Sequence, residues 1–284
     1  SYAGSGVVDG TISGSSSDFR INEYADHLRL VTTKFTDDAS DRFDHQLFVL
    51  QQSASEPALD IVATLPNEGR PAEIGKPNED LYGVRFLGNT LYLVTFERID
   101  PLYVLDLSEA ADPLIAGELT VPGFSDFLHP VNSELLLGLG QDENRAVKLE
   151  LFNVASIDSP YSLGTVTLAP EASWSHSEAR YNHHAFTYQP VSESTDRFSI
   201  PLSLGLYNET EGYTEEDRLY LFEIDSKDSP ALSSIVEVGH ISAKSQWWNS
   251  LQRSVFDGDA VYFINGSSVW SALWSNPAEQ NGPM

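Results

Sequence analysis

The chain has 284 residues, 41% hydrophobic and 11% aromatic, which is enough apolar material for a large core and argues against disorder. Acidic residues outnumber basic ones by 42 to 16, and the net charge of −26 disfavours nucleic acids and anionic membranes as partners. There is no cysteine, which excludes disulfides and thiolate metal sites, and no apolar run long enough to insert into a membrane.

The first predicted element is a single strand over residues 6–14, where Val7, Val8 and Ile12 alternate with small and polar residues. It precedes the first repeat and has no repeat of its own. We expect this strand to close the last repeat of the array, because closure removes the open edges of a repetitive β fold. The alternative is that it belongs to an upstream repeat outside this sequence.

Two apolar strand patterns then alternate along the chain. One is followed by a proline and occurs at residues 47–50, 102–106, 149–153 and 219–223. The other ends a predicted hairpin and occurs at residues 28–32, 91–95, 135–139, 198–202 and 261–264. Turn residues such as Gly88 and Asn89 precede most copies of the second pattern, and helical periodicity is absent.

Four strands in a repeat of roughly 45–70 residues are typical of propeller blades. We therefore predict one all-β domain over residues 1–284, a β-propeller of four-stranded antiparallel blades. Five blades fit the repeats, with a polar C-terminal tail at residues 275–284 after the last one. The alternative is that the chain is part of a larger propeller with six to eight blades.

Several stretches are similar to one protein family. They read INEY at 21–24, LRLVTT at 28–33, VTFERIDPLYV at 94–104, PGFSDFLHP at 122–130 and VWSALW at 269–274. The chain resembles, from residue 6 to 277, secreted bacterial proteins with a C-terminal β-propeller domain that is distantly similar to WD-repeat propellers. The resemblance implies a propeller fold and a location outside the cytoplasm or in the cell envelope, and it implies no catalytic residue.

Cations recur at related positions in the repeats. Four of them lie six or eight residues before the second hairpin strand, and the fifth lies in the corresponding stretch of the fourth repeat. They are Arg20, Arg85, His129, His183 and Arg253. Because even offsets place side chains on one face of a regular strand, we predict a ring of cations at the central channel that binds a small anion. The alternative is that nearby acids such as Glu178 pair with these cations and join the blades.

One acidic segment predicts a calcium site. It contains Asp37, Asp38, Asp41 and Asp44, and closely spaced carboxylates supply the oxygen ligands that Ca²⁺ requires. The alternative is a solvated hairpin tip, because the segment lacks the EF-hand spacing. Calcium is the one cofactor that the sequence suggests.

The common catalytic motifs are absent, including HExxH, GxSxG, the P-loop and GxGxxG. We therefore predict a non-enzymatic binding propeller outside the cytoplasm, with a protein, a glycan or a small anion as its unknown partner. One alternative is an enzyme for an anionic or carbohydrate substrate at the channel mouth, with an arginine clamp and His129 or His183 as general base. Another is a structural module of a larger surface protein.

Overall fold

A computed structural model describes residues 2, 4–14, 16–96, 100–210, 212–245 and 251–284. Residues 97–99, which belong to one of the family-like stretches, lie outside this description. The described chain is β-structure joined by turns and short 3₁₀ helices. The 3₁₀ helices are Ser17–Phe19, Glu178–Arg180, His183–Ala185 and Pro230–Leu232. Within these ranges no helix has the length and apolarity needed to cross a membrane.

The strands form five sheets. The first contains β1 Ile21–Tyr24, β2 His27–Phe35, β3 Phe43–Gln52 and β4 Leu59–Leu65. The second contains β5 Asp80–Leu87, β6 Thr90–Phe96, β7 Asp100–Asp106 and β8 Leu114–Val121. The third contains β9 Phe124–Pro130, β10 Leu135–Gln141, β11 Val147–Asn153 and β12 Tyr161–Thr167. The fourth contains β13 Trp174–His176, β14 Thr187–Pro190, β15 Asp196–Asn208, β16 Gly212–Asp225 and β17 Ser234–Lys244. The fifth contains β18 Gln252–Asp257, β19 Ala260–Asn265, β20 Ser268–Leu273 and β21 Asn276–Asn281.

The five sheets confirm the predicted all-β fold with five blades of antiparallel strands. Each sheet has four strands in its main path, and the fourth sheet carries the additional short strand β14 against β15. The predicted apolar runs all lie inside strands, the first set in β3, β7, β11 and β16 and the second in β2, β6, β10, β15 and β19. These runs are recognisable because inner strands are buried on both faces and are therefore apolar almost throughout.

The two ends of the chain differ from the prediction. The predicted tail contains β21, which pairs with β20 and supplies the fourth strand of the fifth sheet. Residues 6–14 contact the first sheet instead: Thr11 exchanges two backbone hydrogen bonds of 2.9 Å with Thr33 on β2. The prediction that residues 6–14 complete the last blade is therefore wrong. The physical reason is that β21 is an outer strand with Pro277 as its one buried residue. Its sequence is therefore polar and lacks the apolar pattern by which the other strands are predicted.

The chain divides into two compact units, residues 1–133 with 154–161 and residues 134–153 with 162–284. In the first unit, one core cluster lies between the first two sheets and includes Val31, Leu47, Leu91 and Leu93. A second cluster of Leu30, Phe48 and Leu50 lies on the first sheet, and Val8 of the N-terminal segment packs on it. This contact explains why the N-terminal segment lies on the first sheet.

In the second unit, a core cluster joins the fourth and fifth sheets. The fourth sheet contributes Leu219, Leu221 and Ile241 to this cluster. The fifth sheet contributes Val261, Phe263, Trp270 and Ala272, and Trp274 follows its third strand. Pro277 on β21 packs on Gly239 on β17, where an added Cβ atom would lie 2.8 Å from the Pro277 ring. The terminal strand is thereby part of the packed second unit.

Candidate functional site

In the first unit, Arg85 lies at one end of a row of neighbouring rings that are tilted relative to one another. Its guanidinium carbon is 4.5 Å from the ring centroid of Phe19, in the 3₁₀ turn before β1. The Phe19 ring lies 5.8 Å from that of Phe127, and Phe127 lies 6.4 Å from His129. Phe127 and His129 are two residues apart on β9 and share one face of the strand. The row thus connects two of the five predicted cations.

The close approach of β5 and β9 makes this row possible. A Cβ atom at Gly83 on β5 would lie 2.9 Å from the carbonyl oxygen of Ser125 on β9. Only glycine permits that distance, and Arg85 follows two residues later on the same strand. The Ser16 hydroxyl also donates to the carbonyl oxygen of Asp126 at 2.8 Å, which fixes the 3₁₀ turn that carries Phe19.

The charge of Arg85 is not matched by an acid among the residues that the structure describes. Its side chain is half-buried and makes no ion pair with any residue in the described ranges. Burial lowers the pKa of the Arg85 guanidinium, and no carboxylate in the described part of the chain raises it. Other arginines lie within hydrogen-bond distance of a carboxylate, namely Arg70, Arg218 and Arg253. Within the described ranges, Arg85 is therefore a partly desolvated cation without a carboxylate counterion.

Arg20 has a different environment, deep in the first unit. It is 1% exposed, and its guanidinium donates to the Thr33 hydroxyl at 2.9 Å and to the carbonyl oxygen of Leu81 at 3.1 Å. The Thr33 hydroxyl also lies 2.9 Å from His45 Nδ1, and His45 Nε2 lies 2.9 Å from the carbonyl oxygen of Glu79. These bonds connect the first two sheets, so Arg20 has a structural role in holding them together.

The network determines the protonation of His45. Because the Glu79 carbonyl can only accept, His45 Nε2 carries the proton and Nδ1 accepts from the Thr33 hydroxyl. Burial lowers the pKa of His45, more than its hydrogen bond to Glu79 raises it. The imidazole is therefore held in its neutral form.

The two predicted cations of the second unit have protein neighbours. Arg253 lies 2.9 Å from a carboxylate oxygen of Glu178 and donates to the carbonyl oxygen of Gln252 at 2.6 Å. His183 begins the 3₁₀ helix His183–Ala185, and its ring lies 4.1 Å from that of His184. The distance between Arg253 and Glu178 is that of an ion pair, which agrees with the alternative that nearby acids pair with the predicted cations. The ring of five cations stays a prediction.

The acidic segment forms the loop between β2 and β3 and the first residues of β3. Asp38 accepts from the backbone N–H of Ser40 at 2.8 Å and from its hydroxyl at 2.6 Å, and these bonds lower the pKa of Asp38. Asp41 accepts from the backbone N–H of Asn78 at 3.3 Å. Among the residues that the structure describes, no three carboxylate or imidazole groups lie together as a metal site requires. Calcium binding stays a prediction.

The sequence reasoning missed a cluster of titratable side chains in the second unit. Arg218 on β16 donates to Glu171 at 2.7 Å, to Glu216 at 3.0 Å and to the Tyr220 hydroxyl at 3.0 Å. The Tyr220 ring lies 5.1 Å from that of His240 on β17. Arg218 and Tyr220 alternate along one strand, a signal visible in the sequence, but Glu171 comes from a distant loop.

The pKa values of this cluster diverge. Burial opposes ionisation of Glu171, but its hydrogen bond from Arg218 lowers the pKa of that carboxyl below its usual value. Burial raises the pKa of Glu237, and the Glu171 charge raises it further. Burial also lowers the pKa of His240, and the Arg218 charge acts in the same direction. The cluster thus contains one carboxyl with a lowered pKa, Glu171, and one with a raised pKa, Glu237.

The comparisons with known proteins concern the fold and its family. The model of a family described as a β-propeller domain matches residues 1–276. An uncharacterized protein of Methanocaldococcus jannaschii is 31% identical over 183 residues, which are 64% of this chain and 27% of that protein. An uncharacterized protein of Archaeoglobus fulgidus is 36% identical over 168 residues, 59% of this chain and 23% of that protein. This chain spans about a quarter of the length of both relatives, and their archaeal origin gives no support to a bacterial source.

Among solved structures, an α-L-arabinanase of Penicillium chrysogenum complexed with arabinobiose is similar at a TM-score of 0.39 and 10% identity. The similarity covers 94% of this chain and 82% of the arabinanase. A score this low carries no inference about activity.

Proposed function

The chain belongs to the β-propeller domain family, and from that premise we propose that it is a non-enzymatic binding module that takes a small anion at Arg85. The anion is a carboxylate, phosphate or sulfate group, which matches the planar donors of a guanidinium. The supporting observation is the half-buried guanidinium of Arg85, which has no acid partner in the described ranges.

The surroundings of Arg85 support an anion rather than solvent. A buried guanidinium without a counterion loses hydration and gains no ion pair, so an incoming anion restores a favourable interaction. Phe19 holds the guanidinium from one side at 4.5 Å, which limits its orientations. Ordering before binding lowers the entropy lost when the ligand arrives.

The charge balance supports a location outside the cytoplasm or in the cell envelope. A net charge of −26 destabilises a compact fold by self-repulsion, and salt in the surroundings weakens that repulsion. The whole protein's partners, whether protein, glycan or small anion, are part of this proposal. Fractionation of expressing cells with an antibody to this chain tests the location.

Thermal unfolding at fixed ionic strength tests the anion site. Phosphate, sulfate and succinate are added separately, with chloride as the reference. An anion at about 100 times its Kd stabilises the native state by about 2.7 kcal/mol. For a chain of this size, each kcal/mol raises Tm by about 2–4 °C. Arg85→Gln is expected to remove the shift, and Arg85→Lys to retain part of it.

Arg253→Gln is the matched control, because Arg253 was predicted from the same pattern but lies 2.9 Å from Glu178. This variant is expected to keep the full anion shift. If none of the three anions raises Tm, or if Arg85→Gln responds as the unchanged protein does, the anion site does not exist.

An enzymatic function is the second candidate, and the cluster around Arg218 favours it. Two carboxyls whose pKa values are displaced in opposite directions are an arrangement used for acid–base catalysis. Glu171 is the group with the lowered pKa and Glu237 the group with the raised pKa. Release of reducing ends from a panel of polysaccharides, lost in Glu237→Gln, would establish this function, and no release from any of them would reject it.

A further inference from the structure

A cavity of about 500 Å³ lies within the second unit, beside the loop that carries Glu171. One wall is the turn between β10 and β11, through residues 142 and 144–146. The other is the end of β12 and the loop that follows, through residues 167, 169, 170, 172 and 173, together with Trp174 and Ser175 on β13. This volume lies in the usual range for small-molecule sites, about 300–1,000 Å³. The cavity is therefore large enough for an oligosaccharide unit or a compound of similar size.

Hydrogen bonds tie the wall between β12 and β13 to strands of two sheets, β11 and β15. The backbone N–H of Leu168 donates to the carbonyl oxygen of Val147 at 2.8 Å. The Val147 N–H donates to the Ser175 hydroxyl at 2.9 Å, and the Ser173 N–H donates to the carbonyl oxygen of Gly205 at 2.8 Å. The turn between β10 and β11 is closed by its own bond from the Asp142 N–H to the Ala146 carbonyl oxygen at 2.9 Å. The cavity is therefore a formed feature before any ligand enters.

Trp174 presents a ring to this cavity. Trp174 pairs with Gly205 across β13 and β15, and a Cβ atom at Gly205 would overlap the indole. The missing side chain lets the indole lie against the strand, where its N–H donates to the Tyr213 hydroxyl. Trp174 nevertheless remains 40% exposed, and Tyr213 53%. A fixed, exposed aromatic ring beside polar groups suits the mixed apolar and polar faces of a sugar.

Arg145 supplies a positive charge at the same cavity. It is exposed, and its guanidinium has no hydrogen bond or ion pair with another residue in the part of the chain that the structure describes. Its backbone has a φ of 66°, a conformation that a non-glycine residue rarely adopts. The turn holds it there through the Arg145 N–H, which donates to Asp142, and the Arg145 carbonyl, which accepts from Gln141 at 2.8 Å.

We propose that this cavity binds an oligosaccharide that carries a carboxylate, with the sugar ring on Trp174 and the carboxylate on Arg145. Trp174 would contribute to any sugar of suitable shape, whereas Arg145 would distinguish acidic from neutral sugars. An arginine fits a carboxylate with two parallel hydrogen bonds, which makes it the more specific of the two residues. This site is separate from the anion site at Arg85 and does not depend on it.

Calorimetric titration with trimers of galacturonic, mannuronic and glucuronic acid tests the proposal, with the methyl ester of the trimer that binds as the uncharged reference. Losing one charge-assisted bidentate contact is expected to weaken binding by about tenfold or more. Esterification and Arg145→Gln should each cause this loss, and esterification should have no further effect on the Arg145→Gln variant.

Trp174→Phe should weaken the acid and its ester by the same factor, because both lose the same ring contact. Gly205→Ala should do so as well, since the added methyl group displaces the indole without touching Arg145. A change in tryptophan fluorescence on binding should be reduced in Trp174→Phe. Arg70→Gln is the control, because Arg70 is a partly exposed arginine that lies 2.6 Å from Asp112 in the first unit.

Three results would overturn the proposal: none of the trimers binds, the ester binds as tightly as the acid, or Arg145→Gln leaves affinity unchanged. The two proposals fail separately. Arg85→Gln should bind the trimer normally, and Arg145→Gln should keep the Tm shift caused by small anions.

Discussion

Replacing Lys148 by methionine should destabilise the protein strongly, because its charge lies in the core of the second unit beside another charge. Lys148 and Glu150 both project from one face of β11, with their charged atoms 2.9 Å apart and side chains 1% and 2% exposed. The residues opposite them on β10 are Gly140 and Gly138, which leave room for the two long side chains. Removal of Lys148 leaves the Glu150 carboxylate buried without that ammonium.

The magnitude follows from the distance and the burial. At an effective dielectric constant of about 20, two charges 2.9 Å apart attract by roughly 6 kcal/mol. Desolvation of both ions offsets most of this attraction, so the pair adds little net stability. Lys148→Met should nevertheless cost about 3–5 kcal/mol, because the remaining carboxylate keeps its desolvation penalty and loses the attraction. The double variant Lys148→Met with Glu150→Leu should recover most of that loss.

Urea unfolding followed by circular dichroism measures these free energies. With a slope of about 3 kcal/mol per molar urea, a loss of 4 kcal/mol lowers the midpoint by roughly 1.3 M. Lys76→Met is the matched control, since Lys76 lies 2.8 Å from Glu118 with side chains 53% and 40% exposed. It should cost less than about 1 kcal/mol, because solvent screens an exposed pair. A double variant less stable than Lys148→Met, or equal losses at the buried and exposed pairs, would refute the reasoning.

Two further predictions concern pH and the C-terminal strand. Burial lowers the pKa of His45, so the folded state binds fewer protons than the unfolded state. Stability should be full above the unfolded value of about 6.5 and fall as pH drops below it. Urea unfolding at pH 7.5 and 5.5 measures this loss, which His45→Gln should reduce, and greater stability at pH 5.5 would contradict it. Deletion of residues 276–284 should lower Tm, because it removes β21 and the two hydrogen bonds of 2.7 Å between the Gln280 side-chain amide and the Ser242 backbone. The deletion also leaves the β20 edge unpaired, which should promote association that light scattering measures. A truncated chain with unchanged Tm would show that β21 is not part of the folded fifth sheet.

The five predicted cations differ in whether a carboxylate lies beside them, and their spacing along the sequence does not show this difference. Arg85 and Arg253 obeyed the same pattern, yet Arg253 lies beside Glu178 and Arg85 lies on Phe19. The sequence already suggested Glu178 as a possible partner of these cations. The contact between Phe19 and Arg85, by contrast, joins residues 66 positions apart along the chain. Contacts of this kind depend on how the sheets pack and on the close approach permitted by Gly83.

The amino-acid sequence was enough to predict the all-β fold and the repeat of four-stranded sheets, because inner strands must be apolar on both faces and the turns between them require particular residues. It also determined the acidic character of the surface and the absence of thiol chemistry. The tertiary structure was needed to place the two ends of the chain, since β21 is an exposed strand with few apolar residues. It alone joined Trp174 to Arg145 and Glu171 to Arg218, because each pair comes from loops and strands that are distant in sequence and meet only when the sheets are packed.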